Sequence, residues 1–113
     1  MKLEESLNNN KILNLLGLAN KAKKIVLGQK VLEEITNIKY LFIANDSSIN
    51  SQSKYLNKCK YYNIAYSTRY SSKELSDALG QVNRNVIGVI DAGFSKHFVE
   101  LNKEVYYGKS EQS

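Results

Sequence analysis

Hydrophobic and polar positions follow two periodicities along this chain. Between residues 10 and 23, apolar residues such as Ile12, Leu16 and Ala19 recur at helical spacing, which predicts a largely buried helix. Residues 40–44 and 86–90 are unbroken apolar runs, typical of strands covered on both faces. The full pattern predicts these elements in order: helix 10–23, strand 25–27, helix 29–37, strand 40–44, helix 50–62, strand 64–67, helix 71–80, strand 86–90 and helix 94–101.

Helices and strands alternate throughout this order, which is typical of an α/β protein. We predict a three-layer α/β/α sandwich around a four-stranded mixed sheet. The chain shows no internal repeat and no low-complexity linker. We therefore predict a single domain over residues 10–102, with a flexible leader at 1–9 and a polar tail at 103–113.

The cysteine content and the length of the apolar runs indicate a cytoplasmic protein. Cys59 is the only cysteine among 113 residues, so there is no internal disulfide framework and a reducing compartment is expected. No apolar run approaches the roughly 18 residues that cross a bilayer. The polar first ten residues do not resemble a signal peptide. One cysteine and one histidine, His97, cannot supply the usual zinc ligands, and we predict neither a metal nor a cofactor.

The charge of the chain favours a polyanionic partner. The net charge is +5, and lysines placed near phosphates release condensed counterions. No acidic residue falls from Ser47 to Lys73, and none lies between Asn8 and Glu33. Because a charge of this size also serves solubility, it favours nucleic acid without proving it.

The turn from Lys21 to Lys30 is the first candidate site. Lys21, Lys23 and Lys24 end one predicted helix, where the helix dipole favours cations. Lys30 begins the next helix and opposes its dipole, an arrangement that a bound phosphate would relieve. Gly28 permits close backbone approach, and Gln29 can hydrogen-bond a base edge. RNA contact and a solvated face explain this turn about equally well from the residues alone.

A polar loop at residues 80–85 is the second candidate. It includes Gln81, Val82, Asn83 and Arg84, and arginine with asparagine suits phosphate and base contacts. Taken alone, an ordinary surface loop explains it better. Lysines in the segment 54–60 would add sequence-independent attraction.

Catalysis has weaker support. His97 has no evident nucleophilic partner, and Cys59 lies on the apolar stripe of its helix, as an inert buried thiol does. Asp46 and Asp91 each follow a buried strand, where helix capping explains them best. A Mg²⁺-dependent phosphate enzyme remains an alternative only if those two carboxylates converge. We predict that the chain is not an enzyme.

A set of short motifs resembles the L-seven-Ae-like kink-turn RNA-binding ribosomal proteins, most closely their bacterial YlxQ-like branch. The motifs span about residues 10 to 100 and are Leu13–Ala19, Lys21–Lys24, Gly28, Leu41–Ser48, Cys59, Tyr70–Leu75, Ala78–Gly80 and Asp91–Lys96. The resemblance implies the α/β/α sandwich, RNA binding and no enzymatic activity. It also implies a structured RNA partner, ribosomal or kink-turn, with the ribosome as a further partner; we predict a monomer.

The resemblance also implies a set of RNA-binding positions. They are Lys23, Lys24, Gly28, Gln29, Lys30 and Glu34, together with Gln81, Val82, Asn83 and Arg84 of the second loop. Lys30, Val31 and Glu34 stand where the family typically has Asn, Glu and Lys, so the base-reading residues are altered. Val31 and Glu34 also favour an alternative, a protein-interaction module on the same fold that has lost RNA recognition.

Overall fold

The structure is a computed structural model that describes the backbone of residues 3–110 and the side chains of residues 9–102. Its helices and strands follow the predicted order. They are α1 (Leu3–Lys21), β1 (Ile25–Leu27), α2 (Gln29–Glu33), a 3-10 turn (Ile35–Asn37), β2 (Tyr40–Ile43), α3 (Ile49–Tyr62), β3 (Ala65–Ser67), α4 (Ser72–Leu79), β4 (Val86–Val89) and α5 (Ala92–Ser110). No helix in the described part of the chain is long and apolar enough to cross a membrane.

The four strands form one mixed sheet in the order β1-β4-β2-β3. Strand β4 is antiparallel to both β1 and β2, whereas β3 runs parallel to β2. Ile43 pairs with Val86 at one end of the sheet, and Tyr40 pairs with Val89 at the other. We call these the Val86 end and the Val89 end. Strands β1, β2 and β3 all finish at the Val86 end, where β4 begins.

The sheet separates two hydrophobic cores, which confirms the predicted three-layer fold. Tyr40 and Phe42 of β2 face helices α1, α4 and α5, and the ring centroids of Phe42 and Phe98 are 5.0 Å apart. Leu41 and Ile43 face the opposite way, towards α2 and α3. Successive side chains of a strand point to opposite faces, so a strand covered twice must be apolar at every position.

Some helix limits differ from those predicted. Helix α1 begins at Leu3, inside the segment predicted as a leader, and helix α5 continues to Ser110, inside the segment predicted as a tail. Asn9 accepts a hydrogen bond from the Tyr70 hydroxyl at 3.1 Å, which ties this turn of α1 to the core. The division into leader, domain and tail stays a prediction, and residues 1, 2 and 111–113 lie outside the described chain.

Two further expectations need correction. The predicted helix 29–37 is an α-helix followed by a 3-10 turn, because Glu34 adopts φ −111° and ψ 26° between them. The helical spacing of residues 50–62 predicts that Tyr55 and Tyr62 lie on the core face of α3; Tyr55 is buried, but Tyr62 is 38% exposed. Helix α3 ends at Tyr62, and Asn63 follows in the left-handed conformation, so the last turn of α3 lies at the rim of the core.

Candidate nucleic-acid interface

Two predicted segments that are far apart in sequence meet at the Val86 end of the sheet. A cleft of about 200 Å³ is lined by Gly28 on one side and by Asn83 and Arg84 on the other. The topology explains the meeting, because β1 ends where β4 begins. We call this the Val86-end cleft.

Gly28 sets the backbone at one side of the cleft. It immediately precedes α2 and adopts φ 57° with ψ −133°, a combination essentially reserved for glycine. The turn leaves Gln29 and Lys30 exposed at the start of α2, while Val31 is fully buried. Val31 therefore belongs to the core and presents no apolar surface to a partner, so it does not support the protein-interaction alternative.

Arg84 is held in place at the other side of the cleft. Its Nε–H donates to Gln81 Oε1 at 2.7 Å, and its backbone N–H donates to the hydroxyl of buried Ser76 at 2.9 Å. The backbone N–H of Gln81 donates to the Ser76 carbonyl at 2.9 Å. Gln81 thus orients a guanidinium that keeps most of its N–H donors, a geometry suited to binding phosphate.

Ser51 and Tyr55 of this interface were missed from the sequence, whereas Asn85 belongs to the loop predicted at residues 80–85. Ser51, Tyr55 and Asn85 also line the cleft. Ser51 and Tyr55 belong to α3, which follows the end of β2 and so starts at the same end of the sheet. Strand order, which no local sequence pattern specifies, is the signal that would have found them.

Two apolar side chains are exposed to solvent beside the cleft. Val82 is 74% exposed in the loop, and Ile49 is 78% exposed at the start of α3. Lys54, on the first half of α3, places its Nζ 5.3 Å from the centroid of the Tyr55 ring. This end of the sheet therefore combines cations with apolar surface.

The structure does not bring Lys23 and Lys24 to the Val86-end cleft. The Lys24 carbonyl accepts a hydrogen bond from Ile90 N–H at 2.9 Å, and the next residue, Ile25, pairs with Val89. Lys24 thus lies at the Val89 end. At about 3.3 Å per extended residue, its Cα is roughly 13 Å from that of Gly28. The basic turn of the sequence is therefore divided into two groups by β1.

Glu34 lies one helical turn beyond Lys30 and is half-buried. Its backbone N–H donates to the Lys30 carbonyl at 2.8 Å at the end of α2. Glu34 does not line the cleft, but it is a neighbour of Lys30 on the helix, and its negative charge opposes phosphate binding at Lys30.

The enzyme alternative built on Asp46 and Asp91 is wrong. The two carboxylates lie at opposite ends of the sheet, because they follow the antiparallel strands β2 and β4. Asp46 accepts hydrogen bonds from the backbone N–H of Ser72 at 3.0 Å and from its hydroxyl at 3.1 Å. Asp91 accepts one from Phe94 N–H at 2.8 Å. Both carboxylates therefore stabilise helix starts.

The remaining candidates for chemistry are also structural or isolated. Cys59 is buried, and burial raises the pKa of its thiol to about 11, so the reactive thiolate is scarce near neutral pH. His97 is exposed on α5. No group of three or more metal-ligating side chains occurs among the described residues.

Comparison with known proteins identifies the family, although no protein-family model matches the chain. An RNA-binding protein YlxQ from Enterococcus faecium is 36% identical over 97 residues, which cover 83% of this chain and 93% of that protein. A second RNA-binding protein YlxQ, from Bacillus subtilis (strain 168), is 38% identical over 90 residues, covering 77% and 90%. The chain belongs to the YlxQ family. The resemblance predicted from the sequence motifs is thereby confirmed.

Solved structures share the fold. A protein of unknown function from Bacillus halodurans C superposes with a TM-score of 0.77 at 35% identity, covering 80% of this chain and 95% of that one. A 15.5kD RNA binding protein of Giardia lamblia superposes with a TM-score of 0.74 at 19% identity, covering 95% and 92%. The second comparison shows the α/β/α fold alone, because its sequence identity to this chain is low.

Proposed function

We propose that this YlxQ-family protein binds structured RNA at the Val86-end cleft, as a non-enzymatic, monomeric accessory protein of the cytoplasm that associates with RNA or with the ribosome. The observation that carries the proposal is the meeting of Gly28 with the loop holding Asn83 and Arg84 in a single cleft. The relatives at 36% and 38% identity, both named RNA-binding proteins, support it.

Each side of the cleft supplies a different kind of contact. Lys30 and the oriented guanidinium of Arg84 suit phosphate oxygens, which position an RNA without reading its sequence. Gln29 and Asn83 carry amides that can pair with a base edge. Val82 offers an exposed apolar surface to the face of a base. Gly28 lets the backbone approach closely, because it has no Cβ.

The residues also predict that this site recognises particular bases weakly. Lys30 stands where the family typically has asparagine, so a point charge takes the place of an amide. Glu34 puts a carboxylate near the phosphates that Lys30 attracts. We expect binding to depend on charge more than on the identity of particular bases. Kink-turn RNA should therefore bind, but with weak preference over a matched RNA whose sheared G·A pairs are replaced by Watson–Crick pairs.

The decisive test is a Lys30→Ala/Arg84→Ala variant titrated against a kink-turn RNA. Charge-assisted contacts contribute enough that losing both should weaken binding by about tenfold or more. The matched control is Lys11→Ala/Lys73→Ala, which removes the same charge from two exposed positions on α1 and α4. If the two double variants lose the same amount of affinity for the RNA, charge alone explains binding and the cleft is not the site.

A protein-interaction module remains the second candidate, because Val82 and Ile49 expose apolar surface at the same end of the sheet. Pull-down from cell lysate with and without ribonuclease separates the two functions. Partners lost on digestion support RNA binding. Partners that survive digestion but are lost in a Val82→Ser/Ile49→Ser variant support the module instead.

A further inference from the structure

A second groove lies at the Val89 end of the sheet, away from the site proposed above. Its volume is about 460 Å³. Its lining includes Lys39 before β2, Tyr62 and Asn63 at the end of α3, and Ser95 with Lys96 on α5. We call it the Val89-end groove. No residue that lines the Val86-end cleft contributes to it.

The lysines of this groove concentrate positive charge. Lys39 and Lys96 are both exposed, and Lys73–Asp77 is the one ion pair among the residues whose side chains are described. Lys24 lies at the same end, because Lys24 and Lys39 both hydrogen-bond to the backbone at the end of β4. Neither lysine of the groove is paired with a carboxylate, so both are available to bind a ligand.

Two acidic residues lie near this charge, Asp91 at the end of β4 and Glu100 four positions beyond Lys96 on α5, and neither forms an ion pair with Lys39 or Lys96. Asp91 follows β4 at the same end and is half-buried, and its carboxylate accepts a hydrogen bond from Phe94 N–H at 2.8 Å. Its role is to begin α5. Ser95, at the floor of the groove, donates its hydroxyl to the Lys39 carbonyl at 3.0 Å, which fixes the α5 side of the groove against the segment leading into β2.

Two tyrosines beside these lysines have no evident role in the core. Tyr62 is 38% exposed and lines the groove, while Tyr61 is 81% exposed. Their rings pack edge to face, with centroids 4.8 Å apart and an interplanar angle of 80°. Such a contact favours this orientation of the Tyr62 ring. An aromatic face next to a basic groove is the combination that binds single-stranded nucleic acid.

We propose that the Val89-end groove binds a second, single-stranded segment of RNA, with one base stacked on Tyr62 and adjacent phosphates on Lys39 and Lys96. The inference rests on the proposed function in that it takes RNA as the ligand, but it uses none of the residues of the Val86-end cleft. One protein then contacts RNA at both ends of its sheet. A structured element occupies the Val86 end, and a flanking strand occupies the Val89 end.

The test uses a short oligouridine as the single-stranded probe and the kink-turn RNA as the structured probe, each titrated with the full chain. Lys39→Ala/Lys96→Ala should weaken oligouridine binding about tenfold or more and lower the magnitude of its log–log salt slope by roughly 1.4, at about 0.7 for each lysine on a single strand. Tyr62→Leu should also weaken oligouridine binding about tenfold and leave the salt slope unchanged, because stacking involves no counterion. Lys11→Ala/Lys73→Ala is again the matched charge control.

The outcomes separate this inference from the proposed function. If Lys39→Ala/Lys96→Ala matches the control and Tyr62→Leu matches the wild type, the groove does not bind RNA, whatever happens at the other end. If Lys30→Ala/Arg84→Ala loses kink-turn binding but keeps oligouridine binding, and the Lys39→Ala/Lys96→Ala and Tyr62→Leu variants lose oligouridine binding, both sites stand. If Lys30→Ala/Arg84→Ala keeps kink-turn binding while the Tyr62→Leu variant loses oligouridine binding, the groove stands and the Val86-end cleft fails. Ultraviolet cross-linking of oligouridine should label the peptide that contains Tyr62, and a label confined to Gly28 or Arg84 peptides would overturn the inference.

Discussion

Replacing Gly28 by alanine should cost the protein a large part of its stability without creating any steric overlap. A Cβ built on Gly28 meets no atom within 4 Å, so crowding contributes nothing. The backbone angles are the problem, because φ 57° with ψ −133° falls in a region that side-chain-bearing residues avoid. Such conformations cost on the order of 1–3 kcal/mol, and we expect about 2 kcal/mol of the free energy of unfolding to be lost.

Gly80 supplies the matched control for this experiment. It also has positive φ, and an added Cβ would meet nothing within 4 Å, but its φ of 69° and ψ of 32° lie in the ordinary left-handed region. Alanine there should cost about 1 kcal/mol. Asparagine, which tolerates that region, should recover much of the loss at Gly80 and little of it at Gly28.

Urea unfolding followed by far-ultraviolet circular dichroism measures both costs. With a slope of about 1–3 kcal/mol per molar urea, Gly28→Ala should lower the midpoint by roughly 1 M and Gly80→Ala by roughly half of that. Equal shifts for the two alanine variants, or full recovery by Gly28→Asn, would refute the argument that Gly28 is held in a glycine-only conformation. Relaxation of the strained turn should also displace Gln29, so Gly28→Ala should weaken RNA binding under conditions where the protein stays folded.

Three further predictions concern the core, a helix cap and the buried thiol. Gly88→Ala should destabilise the protein by about 1–3 kcal/mol in urea unfolding, because a Cβ there would overlap the side chain of Ile38 in a packed core; an unchanged midpoint would contradict this. Ser71→Ala should cost about 1 kcal/mol by removing the capping box in which Ser71 and Glu74 satisfy each other's backbone N–H, and Ser71→Asp should restore most of it. Cys59 should react with thiol reagents at pH 8 only on unfolding, since burial raises its pKa to about 11. The unfolded thiol loses its proton near pH 8.5, whereas the folded thiol keeps it until about pH 11. The Cys59 contribution to stability is therefore present below about pH 8.5 and declines as pH rises towards 11. A Cys59→Val variant whose denaturation midpoint depends on pH as strongly as that of the wild type would contradict this.

The fold was predictable because its strongest signals are local. The apolar runs that became β2 and β4 have no polar position, as double burial requires, and Ser71 with Glu74 marks a helix start by side-chain chemistry alone. Helix limits were less predictable. Helix α1 extends before the predicted start at residue 10, and Asn9 in this added part forms a hydrogen bond with Tyr70, a residue 61 positions away.

The site was only half predictable for a similar reason. Lys24 and Gly28 are four positions apart, and sequence reasoning joined them in one basic turn. Pairing with β4 extends the intervening residues 25–27 into a strand, which carries the lysine to the far end of the sheet. Conversely, Arg84 and Gly28 meet through strand pairing, which no local pattern encodes. Tyr62 was misplaced because a helical stripe shows which face is apolar but not where the covering sheet stops.

The central position of β4 also has a consequence for how the chain acquires its structure. Strand β4 pairs with both β1 and β2, although it follows them by many residues; β2 also pairs with β3, whereas β1 has no other partner in the described sheet. Closing contacts of such long sequence separation is slow, because loop entropy is lost before the contacts form. During synthesis, the edges of β1 and β2 that pair with β4 therefore stay unpaired until β4 has left the ribosome. The sheet is expected to assemble late and in one cooperative step.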